Sequence, residues 1–448
     1  MKVVKFGGSS VANADQISKV VEIVRADAGR KIVVVSAPGK RDNDDAKVTD
    51  LLIALAQRVL QKESYQASLE QVINRYGEIQ RDLGLSDDVL NEVREDLEHR
   101  IANRGSHEAQ FMDTMKAAGE DNNAKVIAAA FNHAGCSAEY VDPGEAGMLL
   151  SDEFGNAEVL PESYEALARL RERDKIVIFP GFFGETRGGE LATFPRGGSD
   201  ITGAILSAAV KADVYENFTD VDSVYAMDPR LVDHAPAIER MTYREMRELA
   251  YAGFGVFHDE AIVPAVHAEI PICIKNTNRP SAPGTLVLPT RKIDGTQVAG
   301  ISSAEGFSAI YIDKYMMNRE VGFGRRLLQI FEDEQISYEH SPSGIDNMSV
   351  ILHSQQLVGK EAKVLERIQS ELSPDAINVE HGLALLMVVG EGMRYVVGMA
   401  AQATHALADA GVNIEMVNQG ASEISMMFAV KAKDRKKALS SLGKVFFG

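Results

Sequence analysis

The chain has 448 residues, a length that calls for two to four separate cores. Hydrophobic residues make up 45% and charged residues 25%, as in ordinary globular proteins. The formal net charge of −18 argues against a general binder of nucleic acid or of anionic membrane, and anionic substrates would need local positive groups. Two cysteines, Cys136 and Cys273, make no disulfide framework, so a reducing cytoplasm is the expected setting. The first residues read as a strand without a leader pattern. Apolar runs such as IVIFPGFFG fall short of the roughly 20 residues that a membrane helix needs.

Short Val/Ile-rich runs bounded by turn residues recur along the chain: KVVKF (2–6), KIVVVS (31–36), SAEYVD (137–142), KIVIFPG (175–181), ADVYENFTD (212–220) and IPICIKN (270–276). Continuous apolar runs predict strands buried on both faces. Helical spacing lies between them, at Ile17, Val20, Val21 and Val24 in 13–27, at Val89, Val93, Leu97 and Ile101 in 87–103, and at Ala124, Ile127, Ala128 and Phe131 in 119–134. The alternation predicts an α/β domain over 1–295 with a central, mostly parallel sheet and a helical elaboration at 50–110.

The texture changes after SAPGTLVLP (281–289), and Pro289, Gly295 and Gly300 mark a linker. From there strand–helix–strand–strand is read twice. The first unit has strands at 307–313, 337–344 and 348–354, the second at 383–390, 413–422 and 424–431, and each ends in an amphipathic helix. This predicts two βαββαβ domains of α+β type, over 306–380 and 381–448.

Four stretches carry chemistry. KFGGSS ends the first strand in Lys5 and continues with Gly7, Gly8 and Ser9. A glycine turn between strand and helix exposes backbone N–H groups to a phosphate and lets it come close. The Lys precedes the glycines, so this is not a Walker A loop. A tight turn would account for the glycines alone, but a lysine on an otherwise apolar strand calls for an anion. In FPRGGSDITG, Arg196, Gly197, Gly198, Ser199 and Asp200 precede a helix lined by small residues. Ser199 or Asp200 can serve as an N-cap. A guanidinium suits bidentate capture of a carboxylate, and a nearby Asp can accept from an ammonium, so the pair reads as a receptor for an α-amino acid. AAGEDNNAK places Glu120 at an expected helix start, where an acid is favourable in its own right. NFTDVDSVYAMDPR ends a strand at Thr219 and Asp220, then enters a loop with Tyr225, Asp228 and Arg230. Open α/β sheets bind ligands at such strand ends, and a polar surface loop is the plain alternative.

In this order, KFGGSS, PGFFG (180–184), RGGSD (196–200) and FTDVDSVYAMDPR (218–230) resemble the amino acid kinase family, and within it the aspartate kinases. The two C-terminal repeats look like paired ACT regulatory domains. The resemblance spans the whole chain and is to the monofunctional form. It implies phosphorylation of the β-carboxylate of L-aspartate by ATP, giving β-aspartyl phosphate for the biosynthesis of lysine, threonine and methionine. A carboxylate needs no general base, only charge neutralisation and in-line positioning.

By the same resemblance, Lys5 neutralises the phosphates, and Gly7, Gly8 and Ser9 donate backbone N–H groups. Arg196 clamps a substrate carboxylate and Glu120 reads the α-ammonium. Ser36, Thr49 and Ser199 match substrate-contact positions, and Asp200 matches an acid that orients Lys5. Thr219, Asp220, Tyr225, Asp228 and Arg230 line the nucleotide site with Lys5 and Gly8, and Mg²⁺ is held mainly through the phosphates. One departure stands out. In AGFGVFHDEA (252–261), Gly255 stands where relatives have a lysine and Asp259 where they have a proline. Lys275 is a candidate replacement; otherwise nucleotide affinity rests more on Lys5 and Arg230.

In the first repeat, Met317, Glu320, Gly322, Phe323, Ser337, Tyr338 and Glu339 match effector-contacting positions of lysine-sensitive relatives, with Glu339 facing the ligand's ammonium. Asn413, Ile414 and Gln419 are candidates in the second. Lysine is the first effector expected, and threonine, alone or with lysine, the second. A homodimer or higher homo-oligomer through the ACT domains is expected, with no nucleic-acid or membrane partner. Two rivals remain: a kinase of this fold acting on glutamate or N-acetylglutamate, and an amino-acid sensor with a dead kinase domain. The second would lack Lys5, Arg196 or Asp200, and all three are present.

Overall fold

The computed structural model describes residues 1–251, 259–293, 297–394, 396–419 and 424–448. They form two compact units. The first holds Met1–Val224, Ala237–Met246 and a stretch ending at Arg291, and the second holds Tyr225–Pro236, a stretch beginning at Arg247, and Lys292–Gly448.

The strands of the first unit are β1 (Lys2–Phe6), β2 (Arg30–Val35), β3 (Ala138–Tyr140), β4 (Leu149–Leu150), β5 (Ile176–Pro180), β6 (Phe183–Thr186), β7 (Leu191–Thr193), β8 (Val214–Thr219), β9 (Arg240–Thr242), β10 (Ile272–Asn276) and β11 (Thr285–Leu288). Eight of them form a sheet in the order β3-β5-β2-β1-β8-β10-β11-β9, and β4, β6 and β7 form a small second sheet. Pairing in the large sheet is parallel except between β10 and β11. The central strands are mostly apolar because both faces are covered: Val3, Val4, Phe6 and Ile32–Val35 are all fully buried.

Register brings the ends of the parallel strands level. Phe6 lies opposite Val35 and Phe218, Val35 opposite Pro180, and Thr219 opposite Asn276. The segments after β1, β2, β5, β8 and β10 therefore leave the sheet at one edge, where α/β sheets carry their sites.

The longer helices of this unit are α1 (Ala14–Arg25), α2 (Val48–Leu60), α3 (Gln66–Asp82), α4 (Asp87–Ala102), α5 (Glu108–His133) and α6 (Gly198–Ala209). Two local expectations are corrected. A short 3-10 turn, Gly8–Val11, stands between β1 and α1, and Asn13 caps α1 by accepting from the Gln16 N–H at 3.0 Å. Gly119 does not start a helix but lies inside α5. A Cβ at Gly119 would stand 2.9 Å from Ala37 Cβ and 3.2 Å from Leu52 Cδ1. The glycine serves close packing there, and the helix continues through it.

The second unit has β12 (Gly300–Asp313), β13 (Asn347–His353), β14 (Ala376–Val389), β15 (Met416–Asn418) and β16 (Ser425–Lys431), in one antiparallel sheet ordered β13-β12-β14-β16-β15. One core gathers Ile310, Phe323, Leu327, Phe331, Val350 and Ile368 under the helices Phe323–Asp333 and Glu361–Leu372. The other gathers Ile301, Leu386, Leu407, Phe428 and Leu442 under Met399–Asp409 and Arg435–Phe447, and takes in Met227 and Val298.

The two repeats are thus cores on one sheet, not separate consecutive bodies. The expected limits at 306 and 380/381 fall inside β12 and β14, which pair along their whole length. Of the strand expected at 337–344, only the bridges His340–Ile351 and Ser343–Met348 form. Gly255 lies outside the described residues.

The register of β12 against β14 shifts around Gly306, whose φ of +92° is left-handed and whose Cβ position is open. Gly306→Ala should therefore cost about 1–2 kcal/mol through backbone strain alone. Chemical denaturation of the full chain measures this, and an unchanged midpoint would mean that the bulge relaxes freely.

Candidate active site

The site is built on the common strand edge. Lys5 is buried near the end of β1, and its Nζ lies 2.6 Å from Asp200 Oδ1 in the first turn of α6. Asn217, the β8 neighbour of Lys5 in register, donates Nδ2 to the same oxygen at 2.5 Å. Tyr215, two residues earlier, donates its hydroxyl to the Asp200 carbonyl at 3.3 Å. A Cβ at Gly203 would stand 2.5 Å from that hydroxyl, so the small residue in α6 makes room for the tyrosine. Removing one partner of such a buried pair costs about 3–5 kcal/mol.

Gly197 caps α6 with a left-handed φ of 81°. The turn after β5 packs directly on it: a Cβ at Gly181 would stand 2.7 Å from Ser199 Oγ, and the Phe182 N–H donates to Thr202 Oγ1 at 3.0 Å. PGFFG and RGGSD are therefore one packed structure, which holds Ser199 and Asp200 at the sheet edge. Arg196 stands exposed just ahead of it. Among the described residues it has no carboxylate at ion-pairing distance, so its guanidinium remains available to a ligand.

Gly7 lies beside the lysine, since a Cβ there would be 3.6 Å from Lys5 Nζ, and its N–H donates to the Phe218 carbonyl at 3.2 Å. Gly8 is pressed against the turn after β2, where its carbonyl accepts from the Gly39 N–H at 2.9 Å. Ser9 is exposed at the same turn.

Glu120 approaches from α5. It is buried, and its Oε2 has no hydrogen-bond partner. Burial pushes its carboxyl up to about 8, against the opposing pull of the Ala37 N–H, its own backbone N–H and the Lys5 charge. Ser36 follows β2, and Asn123 Nδ2 donates to its carbonyl at 2.6 Å. Thr49 lies in the first turn of α2, whose Val48 N–H donates to the Pro38 carbonyl at 3.1 Å.

On the other side of Lys5, Thr219 ends β8, with its hydroxyl 3.0 Å from Asp220 Oδ1. The Thr277 N–H donates to the Thr219 carbonyl at 3.0 Å, and Thr277 Oγ1 meets Ser10 Oγ at 2.7 Å. Lys275 donates to the Ala282 carbonyl at 3.1 Å, so its ammonium is engaged in the neighbouring turn. Tyr225, Asp228 and Arg230 belong to the second unit. There Asp228 holds Arg230 with both oxygens, at 3.0 and 2.9 Å.

Asn217, Asn123 and Gly39 escape a reading of the sequence. Asn217 carries a signal of the same kind as Lys5, a polar residue on a buried strand. Asn123 and Gly39 act only through contacts with distant segments.

The amino acid kinase family model matches residues 1–276, and an ACT domain model matches residues 386–446. The chain is 54% identical to aspartokinase 3 of Bacillus subtilis over 448 residues, all of this chain and 99% of the relative. The chain belongs to the amino acid kinase family, among its aspartokinases. The aspartate kinase of Clostridium acetobutylicum superposes with a TM-score of 0.89 at 38% identity, covering both chains fully. E. coli aspartokinase III, 26% identical, also covers both chains fully. It matches with TM-scores of 0.77 in complex with aspartate and ADP (R-state) and 0.78 with lysine and aspartate (T-state).

In the aspartokinase regulatory unit, Glu320 is paired with Lys314 and Arg326, which hold its carboxyl below the usual range. Gly322, with a φ of 81°, caps the helix that begins at the buried Phe323, and Met317 is buried nearby in the same core. Ser337 and Tyr338 line a cavity of about 880 Å³ with Arg325, Glu332 and Gln356. Gln356 exchanges hydrogen bonds with the Ser337 N–H at 2.7 Å and its hydroxyl at 2.6 Å. Glu339 is not among the residues lining that cavity. Its carboxylate accepts from the Tyr251 hydroxyl and lies 3.7 Å from His353 Nε2. In the second repeat Asn413 donates to Glu415 at 2.9 Å, Ile414 packs on the core, and Gln419 is exposed after β15.

The raised Glu120 carboxyl makes a stability prediction. In the unfolded chain it ionises near the ordinary glutamate value, about 4.3, and in the ligand-free fold near 8. Its contribution is fully present below the unfolded value and is lost as pH rises through about 8, a loss on the order of a few kcal/mol. Denaturation at pH 5 and pH 8 should show that slope, and Glu120→Gln should reduce it. Equal slopes in both proteins would mean that Glu120 is already ionised at neutral pH.

Proposed function

We propose that the sheet edge around Lys5 performs the aspartokinase reaction with Lys5, Gly7, Gly8 and Ser9 at the transferring phosphoryl group and Arg196 and Glu120 on aspartate. The observation that carries the reading is the buried Lys5–Asp200 pair beside a glycine turn, facing a buried glutamate with an unpartnered oxygen. A β-carboxylate oxygen of aspartate attacks the γ-phosphorus of ATP, the bond to the bridging oxygen breaks, and ADP leaves with that electron pair. Asp200 and Asn217 fix the Lys5 ammonium, so it meets the growing charge without rearranging. The Gly8 and Ser9 N–H groups serve the equatorial oxygens; contrary to the expectation for Gly7, its N–H is taken up by the Phe218 carbonyl. Arg196 takes a carboxylate of aspartate in bidentate fashion, and Glu120 gives up its proton and accepts from the α-ammonium. Ser36, Thr49 and Ser199 frame the amino acid, and Thr219 and Asp220 the nucleotide. Tyr225, Asp228 and Arg230 keep their nucleotide assignment from the sequence motif.

Mg²⁺ fits this arrangement as a passenger of the nucleotide. Among the described residues no group of three or more His, Cys, Asp or Glu side chains could cage a metal ion. Mg²⁺ typically rests on phosphates and water with one or two carboxylates. When bound it neutralises phosphate charge.

We also assign amino-acid feedback to the second unit, with lysine as the first effector and threonine the second. Lysine is the ligand in the T-state complex of E. coli aspartokinase III. The cavity at Ser337 and Tyr338, with Glu332 on its wall, offers a carboxylate for an ammonium. A homodimer through the ACT domains and a cytoplasmic setting complete the reading. No described helix is long and apolar enough to cross a membrane.

Turnover of ATP with aspartate, glutamate or N-acetylglutamate, with hydroxylamine trapping of the acyl phosphate, tests substrate choice. Hydroxamate should form with aspartate and not with the other two; hydroxamate from another acid alone would displace the reading. Lys5→Met should lower kcat by about 10²–10³-fold while leaving the aspartate Kd within a few-fold. A loss confined to aspartate binding would put Lys5 outside the phosphoryl path. Titration with lysine and threonine, separately and together, should show inhibition by lysine, and insensitivity to both would remove the effector assignment.

A further inference from the structure

We propose that Arg75, on helix α3 outside the sheet, is a positioning residue for the phosphoryl-receiving turn and acts through the backbone of Gly39. The proposal rests on the reading of Gly7–Ser9 as that turn. Arg75 is 5% exposed. Its Nη2 donates to the Gly39 carbonyl at 2.7 Å and lies 3.1 Å from Asp45 Oδ2. Gly39 in turn donates its N–H to the Gly8 carbonyl at 2.9 Å. A Cβ on Gly39 would stand 2.6 Å from the Gly8 carbonyl carbon and 2.8 Å from the Ser9 nitrogen, so the two backbones are in direct contact.

The Gly8 carbonyl and the Ser9 N–H share one planar trans peptide and point in opposite directions. Holding the carbonyl on Gly39 aims the Ser9 N–H away from Gly39. The chain of contacts runs from the Arg75 guanidinium to the Gly39 carbonyl, through Gly39 to its N–H, to the Gly8 carbonyl and so to the Ser9 donor.

Arg75 is poorly used as a stabilising group. Its Nε and Nη1 are buried without a hydrogen-bond partner, and buried unmade donors cost free energy. A methionine of similar length would fill the space without that cost. What the guanidinium adds is a fixed, charged donor on the Gly39 carbonyl, which matters for the precision of the turn more than for folding. The next residue, Tyr76, donates to the Gly119 carbonyl at 2.8 Å, one residue before Glu120. The same turn of α3 therefore touches the backbone on both sides of the site.

The test compares wild type, Arg75→Met and Arg75→Lys in the hydroxylamine-trapping assay and in thermal melts. Arg75→Met should lower kcat ten- to a hundredfold, with KM for aspartate within threefold and a melting midpoint equal to or above wild type. Arg75→Lys restores one charged donor and should recover part of kcat. Wild-type kcat in Arg75→Met overturns the proposal, as does a lowered midpoint that rises and falls with activity in both variants. Should Arg75→Met fail to fold, Arg75→Lys decides: a reduced kcat at unchanged KM and midpoint supports the proposal, and wild-type kcat overturns it. Wild type that turns over no aspartate removes the underlying reading instead, and the proposal with it.

Discussion

A lysine cation buried at the end of a central strand must be paired, and the rest of the site follows from how that is done. Asp200 reaches Lys5 only because α6 starts at the sheet edge, and it starts there because Gly197 turns left-handed and Gly181 lets Ser199 pack against the turn after β5. Asn217 completes the pair from the neighbouring strand. One ionic contact thereby fixes the ends of β1, β5 and β8 and the start of α6 relative to each other. With Lys5 paired to Asp200, the buried Glu120 feels that cation only weakly, and burial raises its carboxyl to about 8.

This division of charge suits a chain whose overall charge repels its substrates. The net charge of −18 works against ATP and aspartate at long range. Binding must come from a few groups whose geometry is set before the ligand arrives. Lys5 is immobilised by its pair, while Arg196, with no ion-pair partner among the described residues, stands exposed at the rim. Glu120 can accept a cation at the cost of one proton. On the proposed assignment, a rigid phosphoryl end is thereby separated from an amino-acid end that titrates.

The parallel core was legible because burial on both faces fills the middle of β1, β2 and β5 with Val, Ile and Phe. Lys5, the paired glycines and RGGSD stood out because each breaks a local pattern. Gly119 has the local look of a helix boundary before Glu120, but it is a point of close packing inside a 26-residue helix. Gly39, Asn123 and Arg75 left no local trace, since their partners lie in other segments. The regulatory sheet was legible as a repeat but not as a single sheet. Pairing β12 with β14 from Gly300 to Asp313 is a property of two repeats together. The strand expected at 337–344 is interrupted by Pro342, which cannot donate to a ladder, and only two isolated bridges keep its register.

In the proposed reaction aspartate enters a site whose buried glutamate is protonated and has one oxygen, Oε2, without a hydrogen-bond partner. Isothermal calorimetry of aspartate binding at pH 7, in buffers of different ionisation enthalpy, counts the protons exchanged. With Glu120 ionising near 8 in the free protein and charged against the bound ammonium, close to one proton should be released per aspartate, and none in Glu120→Gln. Binding of aspartate to the unaltered chain without proton release would contradict the account.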